Sequence, residues 1–146
     1  MGRGPRDGFT LVELLMTVAI IGLATGAVVL AAPDPRPSAG QEAERFAARL
    51  SRAREEAVLS NRPVAVETTS VGYGFSSFDG ASWSALTDGP FGTELWSEGV
   101  TVSPAEPLRV VFDPTGVAES AALTLSRNGR ARTVAVDGAG EVTIDD

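Results

Sequence analysis

The chain has 146 residues, no cysteine and no histidine, and its 12 basic side chains, all arginine, face 19 acids for a net charge of −7. That composition excludes disulfides, thiol nucleophiles and Ser-His or Ser-Lys machinery, and removes the commonest general base and metal ligand. An acidic surface also repels phosphate backbones, which argues against a nucleic-acid partner.

The first element is an uncharged apolar run from Phe9 to Ala32 with one exception, Glu13; no other charged side chain appears until Asp34. As a helix it is roughly 36 Å long, enough to cross a hydrocarbon core of about 30 Å. Residues 9–32 are therefore read as a transmembrane helix, with Gly22 and Gly26 spaced as a small-residue packing face. Arg3 and Arg6 precede the run, so the positive-inside rule keeps the N-terminus cytoplasmic and sends the rest of the chain across the membrane. An ionisable group at bilayer depth costs a few kcal/mol, which makes Glu13 a functional candidate by its position alone.

Pro33, Pro35 and Pro37 then interrupt the helix, and 33–37 is expected to be a proline-rich break. Ser38 and Gln41 read as a capping box that opens an amphipathic helix over residues 38–62. Ala43, Phe46, Ala47, Leu50, Ala53, Ala57 and Val58 form its apolar face; Glu42, Glu44, Arg45, Arg49, Arg52, Glu55 and Glu56 form the solvated one, with Arg52 paired to Glu56. Asn61-Arg62-Pro63 ends it.

From residue 63 to 146 the period becomes two. Strands are expected at 64–68, 72–78, 82–86, 100–102, 108–112, 122–126, 133–136 and 141–144, separated by turns at Asp79-Gly80, Asp113 to Gly116, Asn128-Gly129 and Asp137-Gly138. Asn128-Gly129 is the strongest hairpin signal. The aromatics Tyr73, Trp83, Trp96 and the phenylalanines beyond Phe9 are expected in the core. The segment 88–98, with Phe91, Leu95 and Trp96 outside clear strand patterns, is expected to offer partner contacts.

Gly8-Phe9-Thr10-Leu11-Val12-Glu13 resembles the leader-cleavage motif of type IV pilins and type II secretion pseudopilins. Ala53 to Val66, the Gly72-Tyr73-Gly74-Phe75 run with Trp83 and Leu86, and Val111 to Gly116 with Gly140-Glu141-Val142 resemble minor pseudopilins of the GspH type and minor pilins of the FimT type. The resemblance implies a pilin-like α+β fold: an N-terminal transmembrane helix, then an amphipathic helix packed on an antiparallel β-sheet domain. It implies a leader peptide at residues 1–8, cleavage between Gly8 and Phe9 by a prepilin peptidase, methylation of Phe9, and assembly within the membrane through Glu13, whose carboxylate would neutralise the amine of an incoming subunit. Without the leader, 10 basic side chains face 18 acids.

The function so implied is that of a minor pseudopilin of a type II protein secretion system, in the tip complex of the periplasmic pseudopilus that drives export of folded proteins. Its partners would be other major and minor pseudopilins and the inner-membrane secretion platform. It would be a single-pass protein of the bacterial inner membrane, N-terminus cytoplasmic and C-terminal domain periplasmic. Two rivals stay open: a FimT-like minor pilin of a type IV pilus, and a secreted β-sheet binding module behind an ordinary signal peptide cut near Ala32.

No catalytic, cofactor-binding or metal residue is assigned. Glu55-Glu56 point to different helix faces and Asp145-Asp146 is a terminal pair; Asp79 and Asp88 lack EF-hand spacing for calcium. No small-molecule substrate and no nucleic-acid partner are expected.

Overall fold

The computed structural model describes residues 8–31 and 36–146, and the chain divides into two units, Met1–Pro35 and Arg36–Asp146. Most of the leader and most of the proline-rich break lie outside the described residues.

In the first unit, α1 (Leu11–Ala31) is exposed along its whole length and is long and apolar enough to cross a membrane. Its threonine hydroxyls are answered from within. The Thr10 hydroxyl accepts from the Glu13 N–H at 3.2 Å, and the Thr17 and Thr25 hydroxyls donate to the carbonyls of Glu13 and Ile21 at 2.7 Å. Hydrocarbon demands such internal satisfaction, because it offers no partner of its own.

The second unit opens with α2 (Ala39–Ser60), started by a reciprocal capping box. The Gln41 N–H donates to the Ser38 hydroxyl at 3.2 Å, and the Ser38 N–H donates to the Gln41 side-chain oxygen at 3.0 Å. Asn61, in the left-handed region at φ 53°, ends the helix. The buried stripe is Ala43, Phe46, Leu50, Ala53 and Ala57, spaced at three and four. Three assignments differ from the sequence reading. Val58 is about half exposed, and Glu42 is buried. Arg52 also pairs with Glu55, at 3.2 Å, and not with Glu56.

Nine strands follow: β1 (Val64–Thr68), β2 (Gly72–Phe78), β3 (Trp83–Leu86), β4 (Glu94–Leu95), β5 (Thr101–Ser103), β6 (Leu108–Phe112), β7 (Ala121–Arg127), β8 (Arg130–Val136) and β9 (Val142–Asp145). They form two antiparallel sheets, β3-β2-β1-β6 with β4 also on β2, and β5-β7-β8-β9. Helix α2 packs on both sheets, and its apolar stripe meets Val64, Val66, Tyr73 and Phe75 from one and Leu123, Leu125, Val134 and Val136 from the other. This is the pilin-like α+β fold expected from the resemblance. The β7–β8 hairpin closes at Asn128-Gly129 with φ of 52° and 74°, the mirror-image turn that matches strand twist.

Candidate functional site

Three sequence candidates sit together at the start of the first unit. Gly8 is open on every side, with nothing within 4 Å of where a side chain would begin. Phe9 is 81 % exposed, and Glu13 lies in the first turn of α1. A Gly-Phe junction outside the helix is therefore presented ahead of it, with a carboxylate about one turn along. The Glu13 carboxylate makes no hydrogen bond or ion pair with any described residue. Such a group can hold an amine.

In the second unit, the segment expected to contact partners largely turns inward. Phe91, at the end of a 3₁₀ turn (Gly89–Phe91), and Trp96 are both buried. Phe91 packs edge-on against Phe75 at 5.4 Å, and the Trp96 indole N–H donates to the Thr69 carbonyl at 2.8 Å. Only Leu95 of the three stays open, at 70 % exposure. Phe91 and Trp96 thus lie in the core expected of the aromatics, and of the segment expected to offer partner contacts they leave Leu95 as its exposed large apolar side chain. The close approach of β4 depends on Gly72, where a Cβ would fall 2.2 Å from the Glu94 carbonyl oxygen.

Arginines on α2 hold this segment and the two C-terminal loops, and no sequence periodicity marks which arginines do so. Arg49 donates to the Glu94 carboxylate at 2.8 Å and to the Pro90 carbonyl. Arg54 donates through Nε to the Gly116 carbonyl at 3.0 Å and through Nη2 to the Ala139 carbonyl at 3.1 Å. The two loops it joins are built alike. Asp113 Oδ1 accepts from the N–H groups of Thr115 and Val117, and Asp137 Oδ1 accepts from those of Ala139 and Glu141, each across an Asp-x-x-Gly turn. At Gly140 (φ 74°) a Cβ would fall 1.9 Å from the Gly116 carbonyl oxygen, so only glycine lets the loops meet. The Thr115 hydroxyl, followed by nearby backbone N–H groups, holds the Asp113 carboxyl below the usual range.

The outward face of the first sheet carries a shallow groove of about 540 Å³ over Gly72, Gly74, Ser76 and Ala85, flanked by Trp83 and Leu95. Arg109 stacks 4.4 Å from the Trp83 ring centroid and pairs with Glu67 at 2.8 Å. Trp83 thus lies on this half-open face, outside the core assigned to it. Among the described residues no three His, Cys, Asp or Glu side chains converge to hold a metal.

The family model for Type II transport protein GspH matches residues 42–140, and that for the prokaryotic N-terminal methylation motif matches residues 3–29. No curated protein matches by sequence. Among solved structures, the minor pseudopilin EpsH from the Type 2 Secretion System of Vibrio cholerae is similar, at 18% identity and TM-score 0.63 over 75% of this chain and 97% of that one. The solution structure of E. coli GspH aligns at 20% identity and TM-score 0.58 over 71% and 84% of the two chains. The type IV minor pilin FimU of Pseudomonas aeruginosa aligns at 19% identity and TM-score 0.55 over 72% and 90%.

Proposed function

The chain belongs to the GspH family of type II transport proteins, and from that premise we propose that it serves as a minor pseudopilin of a type II protein secretion system, in the tip complex of the periplasmic pseudopilus. One observation carries the reading. The same chain joins the GspH domain to an apolar, membrane-length helix that begins two residues after Phe9 and carries a lone acid, Glu13. A prepilin peptidase cuts between Gly8 and Phe9, the new N-terminus is methylated, and Glu13 accepts the amine of a neighbouring subunit in low dielectric, where the attraction is strongest. The helix stays in the inner membrane with the β domain on the periplasmic side, in contact with other pseudopilins and with the secretion platform. The protein acts as a structural subunit. The match to the GspH family supports this.

The test is intact mass and N-terminal mapping of the protein from its native membrane, together with secretion in a deletion strain. A chain starting at Phe9 with one added methyl group, and a secretion defect on deletion, is expected. A chain starting near Pro33 would restore the secreted-module alternative, and loss of pili with intact secretion would favour the minor pilin. Glu13→Ala is expected to be cut normally yet to assemble poorly; wild-type co-assembly of that variant would remove the role given to Glu13.

A further inference from the structure

Between α2 and β4 lies a cleft of about 420 Å³ lined by Glu42, Arg45, Arg49, Tyr73, Glu94 and Ser97. Both of its carboxylates already have donors. Ser97 donates its hydroxyl (2.7 Å) and its N–H (3.4 Å) to the buried Glu42 carboxylate, and Arg49 donates to Glu94 at 2.8 Å. What is left over is a pair of donors. Tyr73 is 6 % exposed, its ring fixed against Phe46 and Trp96 at 4.9 and 4.8 Å, and its hydroxyl has no hydrogen-bond partner among the described residues. The Arg45 guanidinium likewise makes no hydrogen bond or ion pair with any described residue. Among the described residues no buried side-chain polar atom lacks a partner, so this hydroxyl opens into the cleft, where an incoming acceptor can meet it without the ring having to move.

We propose that this cleft receives a glutamate or aspartate side chain of a neighbouring filament subunit, held by the Arg45 guanidinium and the Tyr73 hydroxyl. A guanidinium offers only donors, and a carboxylate is the matching acceptor-only group. Two carboxylates already border the cleft, so a singly charged ligand is accommodated far better than a doubly charged phosphate. Burial pushes the Tyr73 hydroxyl up to about 12, which keeps it a donor at physiological pH. The carboxylate chemistry stands on the cleft; the neighbouring subunit as its source rests on the minor-pseudopilin reading.

The chain has one tyrosine, so ¹³Cζ-tyrosine labelling of the full chain in detergent micelles yields a single resonance that reports this hydroxyl. Acetyl-Gly-Glu-Gly-amide is expected to shift it saturably, acetyl-Gly-Gln-Gly-amide to leave it in place, and Arg45→Ala, an exposed and structurally mild change, to weaken the response about 10-fold or more. An equal response to both peptides, no response, indifference to Arg45→Ala, or tighter binding of inorganic phosphate would overturn the proposal. In cells, a photo-crosslinker next to Arg45 is expected to reach an acidic segment of another secretion subunit. Arg45→Glu should abolish assembly there, and reversing the charge of the acid reached should restore it. A normal peptide titration without any such cross-link would leave the carboxylate site standing and remove the subunit as its occupant.

Discussion

Between about pH 9.5 and 12, Tyr73 is the only side chain of this protein that titrates, because the chain has one tyrosine and neither lysine nor cysteine. Burial raises the hydroxyl from 10.0 to about 12, with Arg49 pulling it back and Glu94 and Glu42 adding to the rise. The sign follows from proton counting. The unfolded chain releases its proton near 10 while the folded one keeps it, so stability is full below pH 10 and is lost as pH rises toward 12. At about 1.4 kcal/mol per pH unit the limit is about 2.7 kcal/mol. The hydroxyl end reaches solvent through the cleft, which reduces the expected loss to the order of 1–2 kcal/mol. Denaturant unfolding of the full chain in detergent, at about pH 9 and about pH 11.5, measures it. The wild type should lose stability over this interval and Tyr73→Phe should not. Tyrosinate absorbance appearing near pH 10 in the native protein, or an identical loss in Tyr73→Phe, would refute the reasoning.

Arg54→Ala removes two charged hydrogen bonds to loop carbonyls and is expected to cost about 2–3 kcal/mol, whereas Arg52→Ala, which breaks an exposed pair with Glu55, should cost less than about 0.5 kcal/mol. Equal thermal unfolding of the two variants would contradict the clamp. Gly140→Ala forces a side chain onto the Gly116 carbonyl at a left-handed position, and a loss of about 3 kcal/mol or more is expected by calorimetry; a loss below about 1 kcal/mol would mean the loops separate freely. The Asp113 carboxyl sits below its ordinary value, so its contribution is present above about pH 4 and is lost as pH falls further. Asp113→Asn should flatten that acid limb in a pH series of unfolding midpoints, and an unchanged limb would rule the loop anchor out as its source.

Much of the architecture was legible because it is local. Ser38 and Gln41 sit three apart and cap each other within one turn, and Asn128-Gly129 adopts its turn from backbone preference alone. Strand β4 was missed because two residues carry no period, and because Gly72, seventy-odd positions into the chain, is what admits them. Arg52 and Arg54 are indistinguishable in the sequence as charges on an amphipathic helix, yet one lies on the surface and the other spans two loops.

What the sequence by itself determined is the order of elements, the membrane-length run with its single acid at Glu13, the Gly8-Phe9 junction and the absence of Cys, His and Lys chemistry. Each depends on composition or on neighbours within a turn or two. Only the tertiary structure decided that the strands divide into two sheets under one helix, that the Trp96 indole N–H meets the Thr69 carbonyl, that Glu42 is buried against Ser97, and that Tyr73 and Arg45 line one cleft. These depend on residues 27 to 85 positions apart meeting across strand pairings, where burial and hydrogen-bond satisfaction override local pattern.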